Sequence, residues 1–256
     1  MRKTRASTSE AARKYRQQGH DDALEFALAI GMDEDYQNDS KAKKDVIDPS
    51  YDSHSVKGGL KKWQIFLYHL SRFENDFRAM NGMGELLMAC INAFPSSFIE
   101  YQSNKTASKE KLRIPMKELC NKLQDKHRLK SFLNKSIFNG GEVNYLTVKH
   151  EGMFHVFLNT DVIEALIDNL EVCNSRAISA GQFPEQKVLF RYEGKNLGEV
   201  EMRNDRVDHY REIRFNMVKP RAMKLLFTHI HQTSQFGEYV LVYGKANKKF
   251  GRWKPK

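Results

Sequence analysis

Two stretches of the chain carry carboxylates at spacings that could bind a metal ion, and the first begins at Lys43. In it, Asp45 and Asp48 lie just before a turn, and Lys57 ends the segment that follows the turn. Hard divalent cations such as Mg²⁺ prefer oxygen ligands. A lysine near such oxygens can orient the attacking water and balance the charge of a phosphate. The segment therefore favours metal-dependent hydrolysis of a phosphodiester.

A β-hairpin is the element that must position these groups. The runs DVID and SHSVK are predicted as antiparallel strands joined by the turn 49–52. This pairing puts Asp48, Ser55 and Lys57 on one face, and a slip of one residue would bring Asp45 there instead. Both aspartates are therefore candidates. The alternative is a surface hairpin whose aspartates cap turns and whose lysines are solvated.

Helices are predicted on both sides of this hairpin. Apolar residues at helical spacing predict two short helices between Ser9 and Ile30, broken by Gly19. From Lys61 to Met80 a period of 3.6 residues predicts one amphipathic helix. Further helices are predicted for residues 84–94 and 111–133.

An aspartate, a short hairpin, an x-x-K strand end and then the QxxxY segment from Gln64 to Tyr68 resemble the PD-(D/E)XK nuclease superfamily. The QxxxY segment is similar to that of its RecB-like members, and the sequence from Lys43 to Tyr68 resembles type II restriction endonucleases. The resemblance covers the chain from about residue 20 to residue 80. It implies Mg²⁺-dependent cleavage of short sites in double-stranded DNA by a homodimer.

One position departs from the family pattern. Ser55 stands two residues before Lys57, where the family usually has Glu or Asp. Glu25, on the preceding helix, resembles a glutamate that many members add, whereas Asp52 and His54 are weaker substitutes. The resemblance thus implies a catalytic centre of five residues, three of which bind the metal ion. The ligands are Asp45, Asp48 and Glu25, and Lys57 and Gln64 complete the set.

A second candidate centre lies in the segment GEVEMRND. Glu199 and Glu201 project from the same face of an extended strand, which suits a metal pair, and Asp205 or Asp208 could join them. Some restriction enzymes resembling this class use such an ExE strand end without a lysine. This centre is the alternative to the one at Lys57.

The residues after this strand are rich in groups that read or hold DNA. Arginine can read guanine edges, asparagine can read adenine, and lysine holds phosphates. The alternative is a solvated basic surface whose arginines pair with nearby glutamates. The predicted DNA-binding residues are Arg203, Asn204, Arg206, His209, Arg211, Arg214, Lys219 and Arg221.

Composition agrees with a polyanionic partner. The 256 residues carry a formal net charge of +10, and 40% of them are apolar, enough for an ordinary core. We predict a cytoplasmic protein that does not contact membranes, because no run of eighteen apolar residues occurs. The three cysteines suggest neither disulfides nor zinc, and no loop typical of nucleotide cofactors is present.

The predicted fold is α/β, with a PD-(D/E)XK-like core in which helices flank a small mixed sheet. Residues 1–95 would hold the N-terminal helices and the core motif, residues 96–138 a helical region, and residues 139–256 a β-rich region with the DNA-recognition segment. Hairpins are predicted from EVNYLTV with MFHVFL and from KVLFRY with LGEVEMR, and a helix is predicted for residues 161–170.

The expected function is sequence-specific, Mg²⁺-dependent cleavage of double-stranded DNA. A non-enzymatic DNA-binding protein, such as a replication initiator or repressor, is the alternative from another class. A DNA repair nuclease is a further alternative.

Overall fold

The computed structural model describes residues 9–39, 43–76, 80–178, 182–204 and 206–253. These residues form eight α-helices and eleven strands, so the predicted mixed α/β class is confirmed. The helices are α1 Ser9–Ala29, α2 Leu70–Asp76, α3 Met83–Asn92, α4 Phe98–Ser103, α5 Lys105–Leu123, α6 Lys126–Phe138, α7 Asn159–Asn169 and α8 Lys219–His229. The strands are β1 Val46–Ile47, β2 Ser53–Lys57, β3 Lys62–Tyr68, β4 Tyr145–His150, β5 Met153–Leu158, β6 Glu171–Asn174, β7 Lys187–Tyr192, β8 Lys195–Arg203, β9 Glu212–Val218, β10 Gln232–Phe236 and β11 Val240–Tyr243.

The chain divides into two compact units, each assembled from segments that are distant in sequence. The first unit lies within Met1–Leu60, Gly141–Val162 and Phe227–Lys256. The second lies within Lys61–Gly140 and Ile163–Leu226.

The first unit contains a mixed six-stranded sheet in the order β1-β2-β4-β5-β11-β10. The predicted hairpin of β1 and β2 is confirmed, with Val46 opposite His54. β2 then pairs in parallel with β4, and β11 pairs in parallel with β5. The predicted hairpin of β4 and β5 is confirmed as well.

Helix α1 supplies the apolar layer against this sheet. The expected break at Gly19 is wrong, because α1 runs without interruption from Ser9 to Ala29. A glycine inside a helix costs only about 1 kcal/mol relative to alanine. Fully burying one large apolar side chain contributes about 1.5 to 3 kcal/mol. Phe26 and Ile30, at most 1% exposed, therefore outweigh the glycine.

The second unit contains an antiparallel five-stranded sheet in the order β3-β9-β8-β7-β6. The predicted hairpin of β7 and β8 is confirmed. One face of this sheet packs against helices, since the ring of Phe132 on α6 contacts Phe66, Phe190 and Phe215. Aromatic packing thus fills one side of the sheet.

Two helix predictions are wrong in this unit. The segment from Lys61 to Met80 begins with strand β3, and among its described residues only 70–76 are helical. Residues 111–133 belong to two helices, because Asp125 caps a new one by accepting a hydrogen bond from the backbone nitrogen of Arg128 at 2.9 Å. The helix expected near residues 84–94 is α3, and the one expected at residues 161–170 is part of α7.

Within the described ranges, none of the helices has the length and apolar character needed to cross a membrane.

Two glycines should respond in opposite ways to substitution by alanine. Gly19→Ala adds a side chain where nothing lies within 4 Å, and we expect it to raise the free energy of unfolding by about 0.5 to 1 kcal/mol. Gly58→Ala would place Cβ 1.7 Å from Oδ2 of Asp22, and we expect a loss of about 1 to 3 kcal/mol. Urea unfolding of both variants measures the two changes. Equal shifts in one direction would contradict this packing.

Candidate functional site

Asp45 and Lys57 lie together at the hairpin, as one of the two alternative registers predicts. The Lys57 Nζ lies 3.6 Å from Oδ2 of Asp45. The same oxygen accepts hydrogen bonds from the backbone nitrogen of Val56 at 2.8 Å and the Ser55 hydroxyl at 3.4 Å. The carboxylate of Asp45 therefore lies beside the Lys57 amine, and the Ser55 hydroxyl donates a hydrogen bond to that carboxylate.

Asp48 lies elsewhere, in the turn between β1 and β2. Its Oδ1 accepts hydrogen bonds from the backbone nitrogens of Ser50 at 2.8 Å and Asp52 at 3.0 Å. Its Oδ2 lies 3.2 Å from Nε2 of His54, and the residue is only 3% exposed. Asp48 thus caps the turn, as the surface-hairpin interpretation expects of an aspartate there.

His54 is the centre of a buried polar network. Its Nδ1 lies 2.9 Å from the Thr147 hydroxyl, and its ring stacks on Tyr145 with centroids 4.7 Å apart. Burial lowers the pKa of His54 from its usual value and outweighs the nearby Asp48 and Asp52 carboxylates, which raise it. The neutral ring then donates from Nε2 to Asp48 and accepts from Thr147.

Glu25 is engaged by a different lysine from the one the sequence suggested. Lys149, on β4, forms ion pairs with Glu25 and with Asp22, the latter at 3.1 Å. Burial disfavours the charged amine, but both carboxylates outweigh it and raise the pKa of Lys149. Since Val56 packs in the same cluster as α1 and side chains alternate along a strand, Lys57 projects to the opposite face. The sheet therefore separates Glu25 from Lys57.

The alternative centre gathers more groups. On the second sheet, five charged side chains from four strands form an alternating chain of cations and anions. Glu199 lies 3.1 Å from the Lys62 amine and 3.2 Å from the Lys187 amine. Glu201 pairs with the same Lys187 and, through its other oxygen, with Arg214.

Strand register explains this gathering. Glu201 lies opposite Lys187 on β7 and Arg214 on β9, so the three side chains form one row across the sheet. Glu199 lies opposite Asn216 on β9, and Asn216 lies opposite Gln64 on β3. Gln64 thus lies on a strand, in the same row as Glu199. The sequence predicts it on a helix and in the first centre.

Ion pairing favours the charged forms of two members of this ion chain, Glu201 and Lys187. Burial opposes ionisation of Glu201, but Lys187 and Arg214 outweigh it and lower the pKa of the carboxyl. Burial also disfavours the charged form of Lys187, but Glu201 and Glu199 outweigh it and raise the pKa of the amine. At neutral pH Lys187 is therefore an ammonium ion, suited to holding an anion rather than to accepting a proton.

The donors of this centre are the oxygens that a hard cation prefers, but each carboxylate oxygen of Glu199 and Glu201 is paired with a lysine or an arginine. Among the described residues, no group of three or more His, Cys, Asp and Glu side chains is arranged to hold a metal ion. Mg²⁺ is commonly held by one or two carboxylates, with water and substrate phosphate completing its shell. Glu199 and Glu201 supply two carboxylates, and the Asn216 amide oxygen is a third oxygen in the same rows.

The predicted DNA-binding residues lie on β8, β9, α8 and the loop between β8 and β9, and several contact other parts of the protein. His209 pairs with Glu212 at 2.7 Å, Arg211 donates to Asn92 at 2.8 Å, and Arg221 donates to the Asn196 carbonyl. Arg214 belongs to the ion chain, and Lys219 is 5% exposed. Arg203, Asn204 and Arg206 are half-buried where β8 ends. Asp205 lies outside the described residues, and Asp208 is exposed.

No protein-family model and no curated protein matches the chain.

The buried His54 predicts a pH dependence of stability. The unfolded chain binds a proton at this residue near pH 6.5, and the folded protein takes it up only at lower pH. We therefore expect the free energy of unfolding to fall as the pH drops below about 6.5. In His54→Gln this decrease should be smaller, as measured by urea unfolding between pH 5 and about 8. The exposed His127 offers a control, since His127→Gln should keep the wild-type dependence.

Proposed function

We propose that the protein is a Mg²⁺-dependent endonuclease that cuts double-stranded DNA at specific sequences, with Glu199 and Glu201 at its centre. The observation that carries the proposal is the ion chain in which Lys187 lies between these two carboxylates. Two acidic groups can hold the metal ion that activates water for phosphodiester hydrolysis, and an amine on the same sheet face can balance the charge of the phosphate. This is the activity of a type II restriction enzyme of the PD-(D/E)XK superfamily, which the sequence resembles.

Each member of the chain has a role in this proposal. The two glutamates would hold Mg²⁺, which supplies a Lewis acid and an activated water. Lys187 and Arg214, both cationic, would bind the non-bridging oxygens of the scissile phosphate and stabilise the charge that develops there. In hydrolysis the water oxygen bonds to phosphorus, one ester bond breaks, and a proton reaches the departing oxygen.

Glu199 and Glu201 are better placed for this chemistry than the centre around Lys57. Asp48 is committed to the turn and to His54, which leaves Asp45 as the carboxylate at Lys57. Glu199 and Glu201, by contrast, share one amine, and their side chains are 13% and 11% exposed. A purely structural role of this ion chain would leave cleavage intact in a folded Glu201→Gln variant.

The DNA-recognition segment is continuous with this centre. Strand β8 carries Glu201 and ends at Arg203, and Asn204 and Arg206 follow in the loop. Residues two apart on a strand share a face, so Arg203 lies on the face of Glu201. Side chains that read bases would thus begin next to the group that cuts. The net charge of +10 favours DNA as the partner.

Replacing Glu201 should separate cutting from binding. Glu201→Gln keeps the shape of the side chain but removes its charge, and we expect plasmid cleavage with Mg²⁺ to fall at least about 100-fold. A mobility shift without metal should show that DNA binding is retained. Glu193→Gln is the matched control, because Glu193 is an exposed partner of Lys224 in the turn between β7 and β8, and this variant should cut like the wild type.

Lys57→Ala tests the first centre in the same assay. Cleavage lost in Lys57→Ala and retained in Glu201→Gln would move the centre to the hairpin. Discrete wild-type fragments support a restriction enzyme, whereas unspecific degradation would indicate a repair nuclease. Intact DNA with a mobility shift would indicate a non-enzymatic binding protein, and melting curves of each variant exclude unfolding as the cause.

A further inference from the structure

The proposed hydrolysis needs a source for the proton that the departing oxygen takes up. Glu201 has no proton to give, because against the effect of burial its cationic partners lower the pKa of the carboxyl. Lys187 keeps its proton, because against the effect of burial two glutamates raise the pKa of the amine. Histidine is the side chain that most often gives protons near neutral pH. Beside the ion chain, a carboxylate holds two histidines.

Glu212 is the carboxylate that holds this cluster together. It lies two residues before Arg214 on β9, so its side chain projects from the sheet face that carries the ion chain. Its Oε1 lies 2.9 Å from Nε2 of His69, and its Oε2 lies 2.7 Å from Nδ1 of His209. The carboxylate is 9% exposed, whereas the two rings are 60% and 42% exposed. A largely buried anion thus orients two imidazoles that solvent can reach.

The two histidines present different nitrogens to the outside. Nδ1 is the ring nitrogen nearer the backbone, and Nε2 lies at the tip of the side chain. His209 binds Glu212 through Nδ1, which leaves its Nε2 to meet a substrate. His69 binds through Nε2, which leaves it the nitrogen next to its own backbone. His209 is therefore the better proton donor, and its bond to an anion stabilises the charged ring.

Strand register places this ring near the proposed centre. Glu201 lies opposite Arg214 across β8 and β9, so Glu212 is the diagonal neighbour of Glu201, about 7 to 8 Å away. In-line attack brings the water and the departing oxygen to opposite sides of phosphorus. Activating the water and protonating the departing oxygen therefore need separate groups. The spacing between the two glutamates leaves room for a phosphate between them.

We infer that His209 gives the proton to the departing oxygen, an inference that rests on the proposed function. The water oxygen bonds to phosphorus and releases a proton to solvent. The ester bond to the departing oxygen breaks, its electron pair stays on that oxygen, and Nε2 of His209 gives it a proton. The ring then regains a proton from solvent. Glu212 positions the ring throughout.

A substrate whose leaving group needs no proton tests this role. The ends of the wild-type plasmid fragments show which ester bond breaks, and a duplex of that sequence is made with sulfur in place of the departing oxygen. A thiolate leaves without taking up a proton. On the oxygen substrate we expect His209→Gln to lower kcat at least about 100-fold, with KM nearly unchanged. On the sulfur substrate it should cut within about threefold of the wild type.

Two further variants serve as controls. His69→Gln removes the other ring on Glu212 and should cut both substrates like the wild type. Glu201→Gln should be slow on both substrates, because sulfur replaces the task of the proton donor and not that of the metal ion. Melting curves of the variants establish that each is folded.

The contrary outcomes separate this inference from the proposed function. A His209→Gln variant that cuts the oxygen substrate like the wild type, or that is equally slow on both substrates, would overturn the inference and leave the proposed function standing. Loss and sulfur rescue in His69→Gln instead would assign the proton to His69 and overturn it as well. Wild-type protein that leaves DNA intact would overturn the proposed function and the inference together.

Discussion

The parallel pairing of β2 with β4 is the interaction on which the first unit depends. Parallel strands cannot be joined by a tight turn, so about 90 residues separate His54 from its partner Tyr145. Asn144 fastens the two strands where they begin, since its side-chain oxygen accepts from both the backbone nitrogen and the hydroxyl of Ser53. The stack of His54 on Tyr145 continues this contact into the core. Residues of the hairpin are therefore held by side chains that are remote in sequence.

Alternating ion pairs hold the charged side chains of the second sheet in place, as the hydrogen bonds of buried His54 hold the polar side chains of the first sheet. Lys187 forms ion pairs with two glutamates, and each glutamate forms ion pairs with two cations. No member of this ion chain is therefore left as an isolated buried charge. The polar rows and the aromatic layer around Phe132 occupy opposite faces of one sheet. The proposed metal site thus requires no special loop, because ordinary strand alternation separates packing from charge.

Local patterns predicted much of this structure, and they failed where strands were irregular or partners were distant. The hairpins at residues 46–57 and 145–158 follow from alternating residues and turn chemistry. The sequence around Gln64 predicts a helix because a bulge between Gln64 and Phe66 breaks the two-residue alternation of β3 and leaves an apolar spacing close to helical. The pair Glu199 and Glu201 could be read from one strand, whereas Lys187 and Asn216 join it only through cross-strand register.

The C-terminal aromatic residues have a consequence for how the chain acquires its structure during synthesis. Phe250 packs against His54 and Tyr145, and β11 lies between β5 and β10, in the interior of the sheet rather than at its edge. During synthesis on the ribosome, β5 therefore lacks its parallel neighbour β11 until residues 240–250 have emerged. All segments of the other unit have been translated by then. The unit whose first segment is translated first is therefore completed last, and in that interval the unpaired edge of β5 can pair with another chain.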